Sequence, residues 1–153
     1  MRARQSAQRR TAVPLFIVAA LLAGAVLRPI AGAADGALAV GLPPDVAAEG
    51  FAYGYALNKS SAVEARSDAL KDCKAETPGV DKRAQALCAV VQAFRNQCFA
   101  VAMDPKDATP GVGWAIGADK ATASREALAK CAATAGEDRR NACKVTDADC
   151  DTQ

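Results

Sequence analysis

The chain has 153 residues, 24% of them charged and 51% hydrophobic, with 19 Lys and Arg against 17 Asp and Glu and no histidine. Without histidine there is no Ser-His-Asp or Cys-His constellation, and a zinc ion would have to be held by thiolates or carboxylates alone. The six cysteines, an even number with no C-x-x-C pair, read as disulfides rather than as a metal or redox site, provided the chain leaves the cytoplasm.

The N-terminus supplies that condition. Arg2, Arg4, Arg9 and Arg10 precede an apolar run over 11–27, and Ala31-Gly32-Ala33 gives a signal peptidase its small residues, which predicts a signal peptide over 1–33 cut after Ala33. The run is shorter than the ~20 residues that span a bilayer, so the membrane is met only through the leader during export. Arg9-Arg10 lacks the flanking residues of a twin-arginine signal, and no cysteine stands at the cut to carry a lipid. Five arginines leave with the leader and no acidic residue does, so 14 basic and 17 acidic residues remain and the net charge turns from +2 to −3. A mildly acidic domain over 34–153 has no electrostatic footprint for nucleic acid.

In chain order, 37–41 reads as a strand, and 51–57, with Phe51, Tyr53 and Tyr55, as a second. Ser61-Ala62-Val63-Glu64 is a capping-box pattern that opens a helix over 61–75, with Ala62, Ala65, Ala69, Leu70 and Cys73 on one stripe. Such short side chains allow the helix to lie close to a sheet. Residues 75–84 read as a polar surface loop and 88–94 as a buried strand, joined through Arg95-Asn96-Gln97 in a β-hairpin to a strand over 98–103. Asp104-Pro105 and Thr109-Pro110-Gly111 mark a loop over 104–111, followed by a strand over 112–117 and a helix over 119–134 that stops near Gly136.

The second half of this order echoes the first. Laying Cys73 on Cys131 puts Ser61 on Asp119, Ala65 on Ala123 and Ala69-Leu70 on Ala127-Leu128, while Gly54-Tyr55-Ala56-Leu57 resembles Gly113-Trp114-Ala115-Ile116. The expectation is an α+β domain with an internal duplication, about 36–94 and 98–150. Two pseudo-equivalent ββα-β units would form one antiparallel sheet with two helices packed on it, stapled by disulfides. Six cysteines allow 15 connectivities. If the two units share a local crosslink, Cys73–Cys88 corresponds to Cys131–Cys143, and Cys98 and Cys150 are left for each other.

Catalytic, metal-binding and cofactor-binding residues are not assigned. Asp104/Asp107, Glu137/Asp138 and Asp147/Asp149/Asp151 fall in loops or the tail, with neither calcium-loop spacing nor a visible cleft, and Gly111-Val112-Gly113 is no phosphate loop. Tyr55 and Trp114 alternate with small residues, which assigns them to the core rather than to a stacking platform. The candidate binding surface is therefore Tyr53, Arg95 and Asn96.

Gly36-Ala37, Tyr53-Gly54-Tyr55, Ser61, Ala69-Leu70, Phe94, Asn96, Gly113-Trp114, Ala127-Leu128, Cys143-Lys144-Val145 and the six cysteines together resemble the family catalogued as domain of unknown function 4189, small exported bacterial proteins. Gln97, where such sequences often carry glycine, and a lengthened 73–88 spacing depart from the pattern. The resemblance implies a periplasmic or secreted location and a shared fold, and it brings no catalytic residue with it. The expected function is a non-enzymatic binding or interaction module whose partner is a protein or an envelope glycan. A carboxylate-based enzyme or sugar binder acting on cell-wall glycans, or an inhibitor of a secreted hydrolase presenting 75–84 or 104–111, are the alternatives.

Overall fold

The computed structural model describes residues 35–75 and 80–151. The expected leader over 1–33 with its expected cut after Ala33, and Thr77-Pro78-Gly79, lie outside the described residues. Strand β1 (Asp35–Gly41) is followed by a one-turn helix α1 (Val46–Glu49), strand β2 (Ala52–Lys59), helix α2 (Ala62–Cys73), a short helix α3 (Lys82–Ala86) and strand β3 (Ala89–Phe94). Strands β4 (Cys98–Met103) and β5 (Val112–Gly117), helix α4 (Lys120–Thr134) and strand β6 (Lys144–Cys150) complete the order.

The strands form two antiparallel sheets of three, ordered β2-β1-β3 and β5-β4-β6, instead of the expected single sheet. Alternation along the central strands shows why. On β1, Ala37 and Ala39 pack against Ala65, Ala69 and Cys73 of α2, while Leu38 and Val40 face the other way. On β4, Ala100 and Ala102 meet Ala123, Ala127 and Cys131 of α4, while Phe99 and Val101 join Leu38, Val40, Phe51, Phe94 and Val112 in a core between the sheets. Each sheet thus has a small-residue face for its helix and a large-residue face for the other sheet. The layers stack helix, sheet, sheet, helix.

The expected β-hairpin over 88–103 does not form, because β3 pairs with β1 and β4 with β5 and β6. Arg95-Asn96-Gln97 instead carries the chain from one sheet to the other, with Asn96 in the left-handed region (φ 51°). Nor is β3 a buried strand; it is an edge whose Ala89, Val91 and Gln92 are exposed. The polar stretch expected as a loop up to residue 84 holds the start of α3, capped by Asp81, whose carboxylate accepts from the Arg83 amide at 2.7 Å.

Helix α2 begins as its sequence dictates, with Ser61 Oγ accepting from the Glu64 amide at 3.2 Å, but Glu64 reaches back to the Ser60 amide and not to that of Ser61. Asp119 caps α4 in the same manner, accepting from the Thr122 amide at 2.7 Å. Both helices lie almost on their sheets, and two glycines make this possible. A Cβ at Gly54 would stand 2.1 Å from the Cys73 nitrogen, and one at Gly113 would stand 2.4 Å from the Ala127 oxygen and the Cys131 nitrogen.

Three disulfides staple the layers. Cys73–Cys88 ties the end of α2 to the start of β3, Cys131–Cys143 ties α4 to the start of β6, and Cys98–Cys150 joins directly opposed residues of β4 and β6. Among the described residues no cysteine is free, and no helix is long and apolar enough to cross a membrane.

A tyrosine-lined cleft between the two sheets

Where the sheets splay apart, a cleft of about 930 Å³ opens between β2 and α1 on one side and β6 and the 104–111 loop on the other. Tyr53 and Tyr55 enter it from β2 because odd positions of that strand point toward the second sheet, whereas Ala52, Gly54 and Ala56 point toward α2. Asp72 enters from the last turn of α2 and Asp147 from the middle of β6. The floor is aromatic. Phe51 stacks between Tyr53 and Trp114, with ring centres 5.9 and 5.8 Å away, and Tyr55 lies 4.3 Å from Phe99 of the other sheet.

The cleft is electronegative. Burial is the main cause that raises the pKa of both tyrosines, and the carboxylates of Asp147 and Asp72 push in the same direction. The Tyr55 hydroxyl interacts with Asp147, and the Tyr55 amide donates to Asp72 Oδ2 at 3.1 Å. Tyr53 and Asp147 are half-buried, while Asp72 and Asp107 are exposed at the rim.

The 104–111 wall is braced from within. Asp104, expected among solvated loop carboxylates, is buried and accepts from Arg139 Nε at 2.7 Å and from the Lys106 amide at 3.0 Å. The Arg139 hydrogen bond lowers its pKa to about 2, against the opposing effect of burial and with help from the Lys106 amide. The Asp104 amide donates to the Gly111 carbonyl at 2.8 Å, closing the loop's base, and the Thr109 hydroxyl donates to the Lys106 carbonyl at 2.7 Å across it. On the opposite rim, Asp45 caps α1 and Glu49 pairs with Arg83 at 3.1 Å.

Of the candidate surface, Tyr53 lines the cleft and the other two members lie elsewhere. Arg95 forks onto Asp35 through Nε (2.9 Å) and Nη2 (2.8 Å), and the Asn96 amide donates to Asp151 Oδ2 at 3.3 Å. Asp151, expected as a solvated tail residue, is fully buried and also accepts from the Asn58 amide at 2.9 Å. It ties the β2 end and the inter-sheet crossing to the end of β6. Asp147 and Asp149 belong to strand β6 and not to a tail. Asp72 escapes sequence reasoning because nothing in its local spacing marks it, while Asp147 reads there as a solvated tail carboxylate and Tyr55 as core, and both line the cleft instead.

Trp114 does not line this cleft. Its other side borders a separate apolar groove of about 560 Å³ formed with Leu42, Pro43, Pro44 and Pro110. Four carboxylates, those of Asp72, Asp104, Asp107 and Asp147, line the cleft, and Trp114 is not among its lining residues. Among the described residues no group of three His, Cys, Asp or Glu side chains is arranged to hold a metal ion.

The family profile described as "Domain of unknown function (DUF4189)" matches residues 36–150. No curated protein and no solved structure matches the chain.

Proposed function

The chain belongs to the DUF4189 family, and from its cleft we propose that it is an exported, non-enzymatic binding module. In this reading a leader over 1–33 is removed, the two halves descend from a duplicated ββα-β unit, and the space between their sheets receives the ligand. The observation that carries it is the cleft itself, roomy, floored by Tyr53 and Tyr55 and held open by a loop braced through Asp104 and Arg139. Three disulfides and the helix-on-sheet packing make the surrounding scaffold stiff, and a stiff concave site binds without a large ordering cost. The disulfides are compatible with an oxidising compartment, the periplasm or the outside of the cell.

The test is retention of small molecules and peptides from envelope extract by the mature protein, read by mass spectrometry against a Tyr53→Leu, Tyr55→Leu variant checked for native disulfides. Material held by the wild type and lost from the variant supports the cleft. Equal retention by both would overturn it. Hydrolytic turnover that vanished with Asp147→Asn would overturn the non-enzymatic reading, and an N-terminus at Met1 on the purified envelope protein would overturn removal of the leader.

A further inference from the structure

Resting on that reading of the cleft, we propose that its ligand is an organic cation, the ammonium or guanidinium head of a lysine or arginine side chain on an extended peptide. The walls decide the sign. Asp72, Asp107 and Asp147 line the cleft against one basic side chain, Lys106, and the fourth carboxylate, Asp104, is already neutralised by Arg139.

Asp72 and Asp147 form no salt bridge with a Lys or Arg among the described residues; Asp72 accepts from the Tyr55 amide, and both carboxylates act on Tyr53 and Tyr55. Carboxylates that meet aromatic hydroxyls and no cation leave a local negative potential unbalanced. The end of α2, at Asp72 and Ala75, borders the same space, and a helix C-terminus adds negative partial charge there.

Tyrosine rings beside carboxylates suit a cation and disfavour an anion, because the ring quadrupole and the charges attract the same positive head group. The apolar side of the cleft completes the fit. Val46, Phe51, Met103 and Val112 line it, offering a surface along which the methylene stem of a lysine or arginine lies while its head reaches Asp147 and Asp72. A volume of about 930 Å³ exceeds one such side chain and admits the backbone that carries it.

The experiment is a heteronuclear NMR titration of the mature, disulfide-bonded protein with acetylated tetralysine amide, putrescine, tetraglutamate and chitotetraose. The proposal expects tetralysine to shift the amides of Tyr53, Tyr55, Asp72 and Asp147, more strongly than putrescine, with tetraglutamate and chitotetraose leaving them in place. Binding weakens about tenfold in Asp72→Asn, Asp147→Asn, whose spectrum reports its fold. It is largely abolished in about 1 M salt, where charges are screened beyond about 3 Å. Equal binding by putrescine would overturn the peptide part. Chitotetraose shifting these amides while tetralysine does not would overturn the cation and leave the cleft reading standing. Tetralysine shifts outside the cleft, or none, would also overturn the proposal, and the extract experiment above then decides separately whether the cleft binds anything.

Discussion

The N-terminal half, with its sheet β2-β1-β3 and helix α2, and the C-terminal half, with β5-β4-β6 and α4, place their central strand, their helix and a close glycine in the same relation. They part company at the edges and in the connections. The N-terminal half alone carries the short helices α1 and α3, and the C-terminal half alone has the braced 104–111 loop. The edge strand β3 reads AVVQAF without a charge, whereas its counterpart β6 carries Lys144, Asp147 and Asp149. What the halves have in common builds the scaffold. The segments in which they differ, α1, the 104–111 loop and the charged β6, line the cleft together with Tyr53 and Tyr55 of β2 and Asp72 of α2, which belong to the common scaffold.

The largest effect that would sharpen this comparison comes from the crosslinks. Replacing Cys98 and Cys150, 52 residues apart, with alanine should cost about 4 kcal/mol on the chain-entropy account, and each local pair, 15 and 12 residues apart, about 3 kcal/mol. Urea unfolding of the three double variants checks the order, and a dispensable local bond in one half alone would break the likeness. Gly54→Ala and Gly113→Ala should each lose about 3 kcal/mol, because the new methyl meets helix backbone and not a movable side chain. Gly136→Ala, with a left-handed φ of 80° but open space around it, should lose only about 1 kcal/mol in the same assay.

Asp151→Ala removes both carboxylate oxygens, one accepting from the Asn58 amide and the other from the Asn96 amide, and should cost about 2 kcal/mol. It should also lower protection of the Asn58 and Asn96 amides from hydrogen exchange, and unchanged protection would show that the halves are held by the core alone. The smallest effect is acid-dependent and confined to the C-terminal half. Because the Asp104 pKa is lowered to about 2, its contribution is present above the ordinary carboxyl value of 3.8 and is lost as pH falls toward 2. Thermal melts between those pH values should therefore flatten in Asp104→Asn relative to the wild type, and parallel curves would contradict the Arg139 pairing.

Local chemistry was legible in the sequence and long-range geometry was not. The alanine stripes ending in Cys73 and Cys131 announced both helices, and Ser61 with Glu64 marked the start of the first within a residue. The alternation of alanine with Leu38, Val40, Phe99 and Val101 held the signal for two sheets. It shows that each central strand has two buried faces, but not that the large-residue faces meet each other. A three-residue connection between two strands resembles a hairpin whether it turns within a sheet or steps between two, and only pairing partners separate these cases. The cleft draws on β2, α2, the 104–111 loop and β6, which no local window spans, and Asp104 and Asp151 look like solvated carboxylates until their distant partners are known.

Asp151 also bears on the order in which the molecule assembles. Its partners stand 93 and 55 residues earlier in the chain, at Asn58 and Asn96, while each helix meets its own sheet over much shorter separations. Contacts of long sequence separation carry the larger closure entropy and form late. Each helix and its strands are therefore expected to gather early, and the two layers to lock against each other last, once β6 has docked and Asp151 has reached both amides. A chain ending before Cys150 would keep the ingredients of both layers and lack this clasp and the Cys98–Cys150 bond beside it.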